Sequence, residues 1–324
     1  MANEIFDTLI IGGGPAGLSA AKHLAFHRLC VLLVDRKTGA LNFLHNPVHN
    51  YLGSPSSQTG QALLRQFQGE AVAMGAQISY ENIIRIEGTY PEFLVTAQSL
   101  KPDQPPRQYK AKTILLATGV SIFHPKINGN WEEWLPIASA ARVCYYCADC
   151  EGPFVIQKKI LVIGVGTVNN AIQTAKFLRH YASEILLFMT QDGFIPLPPD
   201  YQKTLDASGF RWFSGYIKSA KIVSPGNRQL ITDDADRQHA CNAFFISTIR
   251  QPRTELARSI GIHLNEHGAI ITDETGQTNI EGIWAAGDVR AIARQIAVAA
   301  GTGNWAALMI HRKLRSSKLE SGKF

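Results

Sequence analysis

Short apolar runs that end in glycine turns dominate the hydrophobic pattern along the chain. Near the N-terminus, residues 7–11 form an apolar, β-branched run, and a glycine-rich segment follows at 12–17. Residues 18–26 are rich in alanine and predict a helix, and residues 29–34 predict a second buried strand that ends at Asp35. This order of strand, glycine turn, helix and strand predicts one βαβ unit.

The same pattern occurs a second time, roughly 150 residues further along the chain. An apolar run at 159–163 leads into a glycine turn at 164–169, a helical pattern extends to about His180, and residues 184–189 predict the next strand. Two units of this kind predict an α/β protein with two Rossmann-like nucleotide-binding domains, each built in three layers.

Later strand signals suggest that the second domain is inserted into the first. Residues 114–119 read as a buried strand with a glycine turn, and a link with serine and proline follows at 121–125. Residues 244–247 predict the place where the chain crosses back from the second domain to the first. Residues 283–288 predict a late strand and turn, and residues 294–314 predict a long helix. We therefore predict a discontinuous first domain, 1–120 and 248–324, and an inserted second domain, 121–247.

Composition and charge narrow the classes of function. The chain is 45% hydrophobic and 18% charged, which is typical of a folded domain with a real core. Of the net charge of +6, four units lie in residues 311–324, so a nucleic-acid partner is not expected and that tail reads as a solvated end. No apolar run reaches the roughly 18 residues of a membrane span, and the first residues lack a signal-peptide pattern, so we expect a cytoplasmic protein.

The first glycine turn has the spacing of a dinucleotide site. Gly12 permits the tight turn, Gly14 lets the backbone approach a pyrophosphate, and Gly17 allows the helix to pack closely on the strand. The following helix N-terminus offers amide groups and a positive dipole end to phosphates. Asp35 ends the next strand, where it is placed to bind ribose hydroxyls.

Two later strand ends point to the kind of dinucleotide. Ala117-Thr118-Gly119 and Ala286-Gly287-Asp288 resemble the two later signatures of the FAD-binding disulfide reductases. In this resemblance, Asp288 accepts a hydrogen bond from a sugar hydroxyl and Gly287 admits close approach of the flavin. Asp288 is also placed to cap the last helix, and the two roles are compatible.

Cysteines supply the candidate chemistry. The chain has five, and three of them fall within seven residues, whereas Cys30 and Cys241 are expected to be ordinary buried residues. Cys144, Cys147 and Cys150 form two overlapping CxxC spacings, which suit either a metal site or a redox dithiol. Because the sequence offers no second CxxC and no HxxxH nearby, and because the cluster adjoins a flavin-type fold, redox chemistry is favoured.

The order of all these motifs resembles that of the low-molecular-weight thioredoxin reductases. The series continues after Ala-Gly-Asp with Arg294-Gln295 and with Ala299-Ala300-Gly301-Thr302-Gly303, and residues 49–53 resemble the family's flavin loop. The resemblance covers about residues 5–314. It implies a homodimeric FAD enzyme whose substrate is either a thiol or disulfide protein or a small molecule of that kind.

The resemblance also implies roles for individual residues. The distance to Gly164 places the family's redox pair at Cys147 and Cys150, where Cys150 faces the flavin and Cys147 exchanges with the substrate. Glu151 replaces an aspartate that moves a proton, with a side chain one methylene longer. Cys144 lies outside the family pattern and is either a small buried residue or a third thiol that traps or relays a disulfide.

The implied FAD site draws on residues from both ends of the chain. The predicted contacts are Gly12, Gly14, Pro15, Ala16, Gly17, Asp35, Arg36, Asn50, Thr118, Gly119, Gly287, Asp288, Arg294, Gln295 and Ile296.

The second glycine turn departs from the family. An NADPH-linked enzyme needs a cationic clamp for the 2′-phosphate, and the stretch that corresponds to the clamp, 189–195, contains no basic residue. Asp192 would repel a phosphate there, and Asn169 replaces the third small residue of the turn. We therefore do not expect NADPH to be the physiological cofactor.

Three explanations for the second turn remain. In the first, the turn binds NADH, with Gln191 or Asp192 on the ribose. In the second, it is empty and a protein such as ferredoxin supplies the electrons. In the third, it holds a second FAD. The last possibility resembles the diflavin-linked disulfide oxidoreductases of photosynthetic prokaryotes and is favoured, which gives two FAD per chain. A non-catalytic flavin-binding regulator is the alternative of a different class. The residues predicted to contact the second ligand are Gly164, Gly166, Thr167, Val168 and Asn169.

Overall fold

The computed structural model describes residues 5–55, 57–130, 135–192, 196–224 and 228–320. The strands are β1 (Ile5–Ile11), β2 (Val31–Val34), β3 (Gln77–Ser79), β4 (Glu81–Thr89), β5 (Glu92–Ser99), β6 (Arg107–Leu116), β7 (Val120–Ile122), β8 (Cys144–Tyr145), β9 (Lys159–Val165), β10 (Glu184–Thr190), β11 (Arg211–Gly215), β12 (Ile217–Ser224), β13 (Arg228–Asp233), β14 (Gln238–Cys241), β15 (Ala243–Thr248), β16 (Arg250–Pro252) and β17 (Ile283–Ala285). The helices are α1 (Pro15–Phe26), α2 (Gly60–Ala73), α3 (Leu135–Ala140), α4 (Ala148–Glu151), α5 (Val168–Leu178), α6 (Tyr201–Asp206), α7 (Glu255–Ser259) and α8 (Ile296–Glu320).

The larger sheet combines both ends of the chain. Its order is β3-β2-β1-β6-β5-β4, and β17 adds to β6. The strands β3, β2, β1, β6 and β17 are parallel, whereas β4 and β5 extend the sheet as an antiparallel pair. Because β17 comes from beyond position 280, this sheet contains segments from both sides of the middle of the chain.

The second parallel sheet is built from the middle of the chain. Its order is β11-β10-β9-β15-β8, with every neighbouring pair parallel. An antiparallel sheet, β12-β13-β14, accompanies it, and a short ladder of β7 with β16 lies where the chain passes between the two large sheets. The expected α/β fold with two Rossmann-like units is therefore confirmed, while the boundaries at 120 and 248 stay a prediction.

Side chains on the two faces of β1 show how the first unit is packed. Ile10 belongs to a core shared with α1 and α8, whereas Leu9 and Ile11 face the core that lies over β5. A strand with both faces covered is apolar throughout, which is why this one was readable from the sequence.

Several element boundaries differ from the sequence expectations. Helix α1 begins at Pro15, three residues earlier than expected, because proline suits the first helical position and glycine precedes it. Helix α8 begins at Ile296 and continues to Glu320, beyond the expected end at 314. Part of the link expected at 121–125 is strand β7.

The cysteines outside the redox motif differ in burial. Cys241 is buried, as expected. The expectation for Cys30 is wrong, since this residue is only partly buried next to the start of β2. In the described part of the chain, no helix combines the length and the apolar character that crossing a membrane requires.

Candidate active site

A cavity of about 870 Å³ lies at the carboxyl ends of the parallel strands of the first sheet. This edge is where ligands bind in open α/β sheets. The residues of the implied FAD site that line it are Gly12, Gly14, Pro15, Ala16, Asp35, Arg36, Asn50, Thr118, Gly119, Gly287, Asp288, Arg294, Gln295 and Ile296. Residues from distant parts of the sequence therefore meet around one cavity, and their contacts with FAD stay a prediction.

The glycines of the first turn have three different geometric roles. Gly12 has a φ of 115°, and a side chain on it would collide with the backbone of Ala117. Gly14 has open space where a Cβ would stand, so its backbone is accessible from the cavity. Gly17 does not line the cavity, because it packs against the carbonyl oxygen of Gly12 and brings α1 close to β1.

The carboxyl group of Asp35 is a test of whether a dinucleotide fits. Asp35 is 7% exposed and lines the cavity, and its Oδ2 atom has no hydrogen-bond partner among the described residues. A buried acceptor of this kind costs free energy unless a ligand satisfies it. In a bound dinucleotide, a ribose hydroxyl would donate the missing hydrogen bond, so Asp35 fits a ligand of this kind.

Two partly buried arginines at the cavity were missed in the sequence. Arg253 donates from Nη2 to the carbonyl of Thr38 at 2.8 Å, and its own carbonyl accepts from Oγ1 of Thr118 at 2.7 Å. Arg250 donates to the carbonyl of Tyr146 at 2.9 Å. Burial lowers the pKa of both guanidinium groups, but they stay cationic and suit an anionic ligand. The sequence signal that could have identified Arg250 and Arg253 is a pair of basic residues shortly after residues 244–247.

The redox motif opens onto the same cavity. Cys147 and Cys150 are joined in a disulfide with an S–S distance of 2.08 Å, and both line the cavity. Cys147 caps α4, and its Sγ accepts from the backbone N–H of Cys150 at 3.1 Å. Gln295 lies 3.6 Å from Sγ of Cys150 and accepts from Nδ2 of Asn50 at 2.9 Å. The geometry fits the redox interpretation of the cysteine cluster.

Cys144 lies apart from this disulfide. It is a free cysteine in β8, 1% exposed, although it reaches the wall of the cavity. Burial raises the pKa of its thiol well above the usual range, and the nearby Glu151 raises it further. A thiol in this state is a poor nucleophile, which favours the role of a small buried residue.

Glu151 holds the redox turn in place. Its Oε2 accepts from the backbone N–H groups of Tyr146 at 2.9 Å and Cys147 at 3.0 Å, and its Oε1 accepts from Nδ2 of Asn46 at 3.1 Å. Asn46 also donates to the carbonyl of Cys144 at 3.0 Å. Burial raises the pKa of Glu151 and these hydrogen bonds oppose the shift. Asn46 lies 105 residues away from Glu151 and could not be predicted from the sequence.

We expect Glu151→Ala to lower the free energy of unfolding by about 2–4 kcal/mol, because two buried N–H groups lose their acceptor. Glu151→Gln should lose less, since one amide oxygen still reaches both N–H groups. Urea denaturation measures both changes. Asp149→Ala alters an exposed carboxylate in the same turn and is the matched control. Equal stability of Glu151→Ala and Asp149→Ala would contradict the positioning role.

The raised pKa of Glu151 also predicts a pH dependence. The native state holds this proton more tightly than the unfolded chain, whose glutamate has a pKa near 4.5. Its contribution to stability is therefore complete below that value and is lost as the pH rises through the folded pKa. The difference in stability between wild type and Glu151→Gln should change over this window, as denaturation at several pH values will show.

A histidine–tyrosine pair also lines the cavity. Nδ1 of His124 lies 2.6 Å from the hydroxyl oxygen of Tyr146, the neighbour of Cys147. Burial lowers the pKa of His124 to about 4, so the imidazole is neutral at neutral pH. His124 had no signal in the sequence, and Tyr146 belongs to the pair Tyr145-Tyr146, whose aromatic surface suits either a ligand ring or core packing. Together they give the redox turn a polar but uncharged wall.

The second glycine turn lies elsewhere. It joins β9 to α5, and none of its five predicted contact residues is among those that line the first cavity. Gly166 has a φ of 75°, and Oγ1 of Thr167 caps α5 by accepting from the N–H of Asn170 at 3.5 Å. The Asn169 side chain is exposed, and Gly164 is buried against Met189. This geometry is that of a separate nucleotide-type turn.

An ion pair lies at the position where an NADPH-linked enzyme would have its cationic clamp. Asp192 follows β10 and forms an ion pair with Lys126, whose Nζ lies 3.3 Å from Oδ1. The last part of the predicted clamp stretch, residues 193–195, lies outside the described residues. Lys126 comes from a distant part of the sequence and already neutralises Asp192.

Comparisons with known proteins agree with this geometry. The family model for pyridine nucleotide-disulphide oxidoreductases matches residues 6–303. Thioredoxin reductase of Listeria innocua is 31% identical over 315 residues, which cover 94% of this chain and 93% of that protein. Thioredoxin reductase of Bacillus subtilis is 29% identical over 315 residues, with 94% and 93% covered.

A solved structure extends the similarity to three dimensions. Thioredoxin reductase from Streptococcus pyogenes has a TM-score of 0.77 at 28% identity, covering 97% of this chain and 100% of that one. The sequence match, the fold and the disulfide beside a dinucleotide cavity lead to one conclusion. This chain belongs to the pyridine nucleotide-disulphide oxidoreductase family and is a flavin-dependent disulfide oxidoreductase of the thioredoxin reductase type.

Proposed function

We propose that the enzyme exchanges electrons between a thiol or disulfide protein of the thioredoxin kind and FAD, without NADPH and with a second FAD at the second glycine turn. The observation that carries the proposal is the disulfide of Cys147 and Cys150 on the wall of the dinucleotide cavity. Thioredoxin reductases among its relatives support a thioredoxin-like partner.

The chemistry at the disulfide is a two-step exchange. A thiolate of the partner attacks Sγ of Cys147, the bond to Cys150 breaks, and Cys150 leaves as a thiolate. The second thiol of the partner, once deprotonated, attacks its own sulfur in the mixed disulfide and releases Cys147. The partner is then oxidised and the enzyme holds a dithiol. FAD, when bound, would accept the two electrons of this dithiol, and the same steps run in reverse would reduce a partner.

Other residues of the site hold these sulfurs in place. Gln295 contacts Sγ of Cys150 through its amide, and Asn50 fixes the orientation of that amide. Glu151 holds the backbone of the turn, and its two carboxyl oxygens already accept three hydrogen bonds. We therefore propose it chiefly as a positioning residue. The proton-transfer role implied by the family resemblance stays a prediction.

The second turn supports an FAD more than a pyridine nucleotide phosphate. Gly164 and Gly166 are the two glycines that close approach of a pyrophosphate needs. They lie at the end of β9 and just before the start of α5. The charge of Lys126 is already balanced by its ion pair with Asp192. A ligand without a 2′-phosphate suits this charge, and both FAD and NADH meet that description.

Cofactor stoichiometry is the experiment that tests the proposal. FAD released by heat should amount to about two molecules per chain, measured by flavin absorbance against quantitative amino-acid analysis. Incubation with excess FAD before desalting guards against partial loss. A ratio near one after that treatment would overturn the diflavin part and leave a single-flavin enzyme supplied by NADH or by ferredoxin.

The remaining expectations about organisation belong to the same proposal. We infer that the two sheets correspond to a discontinuous FAD domain, 1–120 and 248–324, and an inserted domain, 121–247. We also propose a homodimer in the cytoplasm. The regulatory alternative would be favoured if dithiols left the flavin spectrum unchanged.

A further inference from the structure

Three histidines meet at the end of α1 that is remote from the cavity. His23 and His27 are four residues apart and therefore share one face of the chain at the end of α1, and His311 approaches them from α8. His27 lies 12 residues after Pro15, which corresponds to about 18 Å along a helix. None of the three lines the dinucleotide cavity.

The rings are close enough to share one ion. One imidazole nitrogen from each histidine lies within 4.8 Å of the others. The rings of His27 and His311 are stacked with centroids 4.2 Å apart, and those of His23 and His27 are 4.9 Å apart. Zinc–nitrogen bonds of about 2.0–2.1 Å need nitrogens about 3.3 Å apart in a tetrahedron. Binding therefore requires all three rings to close from this spacing, and the exposed His27 is the one with the most room to move.

The hydrogen bonding of His23 points to a ligand. Its Nε2 is buried and has no hydrogen-bond partner among the described residues. The side chain of Asn304 interacts with the same ring. In the tautomer that carries its proton on Nδ1, the buried Nε2 presents its lone pair as a ligand atom. This arrangement is typical of a histidine that binds a metal, where a second residue orients the ring.

We propose that His23, His27 and His311 form a three-histidine site for a divalent transition metal, with Zn²⁺ as the metal to test. Imidazole nitrogen is a preferred ligand of zinc, and the exposed position of His27 leaves room for water as the fourth ligand. A bound ion would join α1, which starts at the dinucleotide cavity, to the long C-terminal helix α8. The site is separate from the redox disulfide and its occupancy does not depend on flavin chemistry.

Equilibrium dialysis of the oxidised holoenzyme against Zn²⁺ tests this site. Zinc forms no coloured complex, so flavin absorbance still reports whether the enzyme is intact. We expect about one high-affinity zinc per chain, and at least about a tenfold weaker affinity in His27→Gln and in His311→Gln. His267→Gln changes an exposed histidine elsewhere and should bind zinc like wild type.

Thermal denaturation gives a second readout that does not use activity. Excess Zn²⁺ should raise the melting temperature of wild type and of His267→Gln but not of His27→Gln, because only a site in the native state stabilises it by mass action. Zinc affinity in His27→Gln and His311→Gln equal to that of wild type would overturn the proposal. Failure of wild type to bind micromolar zinc would overturn it equally, and the three rings would then be a packing cluster.

Discussion

Cys150→Ser should abolish reduction of the bound flavin by dithiols, with a loss of at least about 1,000-fold in rate. The sulfur of Cys150 is the group that Gln295 holds at the cavity, and serine offers no comparable nucleophile or electron donor. Anaerobic stopped-flow mixing with a dithiol, followed at the flavin absorbance, measures the effect.

Cys147→Ser and Cys144→Ser separate the roles of the three sulfurs. Cys147→Ser should leave a thiolate at Cys150 and show a long-wavelength charge-transfer band when flavin is bound. Cys144→Ser should react almost like wild type, because Cys144 is buried and its thiol pKa is raised. Loss of activity in Cys144→Ser with activity kept in Cys150→Ser would show that the active pair is Cys144 and Cys147.

NADPH at micromolar concentration should leave the flavin oxidised over the time of a catalytic turnover. The clamp for the 2′-phosphate normally contributes charge-assisted hydrogen bonds of about 1.5–3 kcal/mol each. Loss of two of these corresponds to about a hundredfold to ten-thousandfold in affinity. Stopped-flow mixing with excess NADPH measures the rate, and reduction of the same sample by a dithiol shows that the flavin is competent.

Two variants of the ion pair between Lys126 and Asp192 test whether charge at this position controls reduction by NADPH. Asp192→Asn removes the negative charge and frees Lys126, so any slow reduction by NADPH should become faster. Lys126→Ala should make it slower. Rapid, saturable reduction of the wild type by NADPH would refute the proposal, and reduction by NADH alone would support binding of its ribose at Asp192.

The sequence was most informative where function depends on consecutive residues. The first glycine turn was predicted residue by residue, because each glycine answers a local requirement such as the positive φ of Gly12. The spacing of the cysteines left two overlapping CxxC pairs open, and the resemblance to the thioredoxin reductases singled out Cys147 and Cys150, which form the disulfide. Strands β1 and β9 were visible because both of their faces are buried.

Contacts between distant segments were not predictable in this way. Asn46 reaches Glu151 across 105 residues, and a lone asparagine in a loop has no pattern to mark it. Lys126 and Asp192 meet across 66 residues for the same reason. The antiparallel strands β12, β13 and β14 escaped notice because their buried positions are not consistently apolar. In β13 the buried residues are Gln229, Ile231 and Asp233, so burial alternates while hydrophobicity does not.

The close approach of α8 to α1 changes how retained glycines in this protein should be interpreted. A side chain on Gly303 would run into the backbone of Ala16, and Oγ1 of Thr302 accepts from the N–H of Gly287 at 3.0 Å. Gly303 and Thr302 therefore determine how closely α8 packs against α1 and against the end of β17. Gly303 itself does not line the cavity. A glycine kept at this position in a relative is evidence of helix packing and carries no information about which cofactor that relative binds.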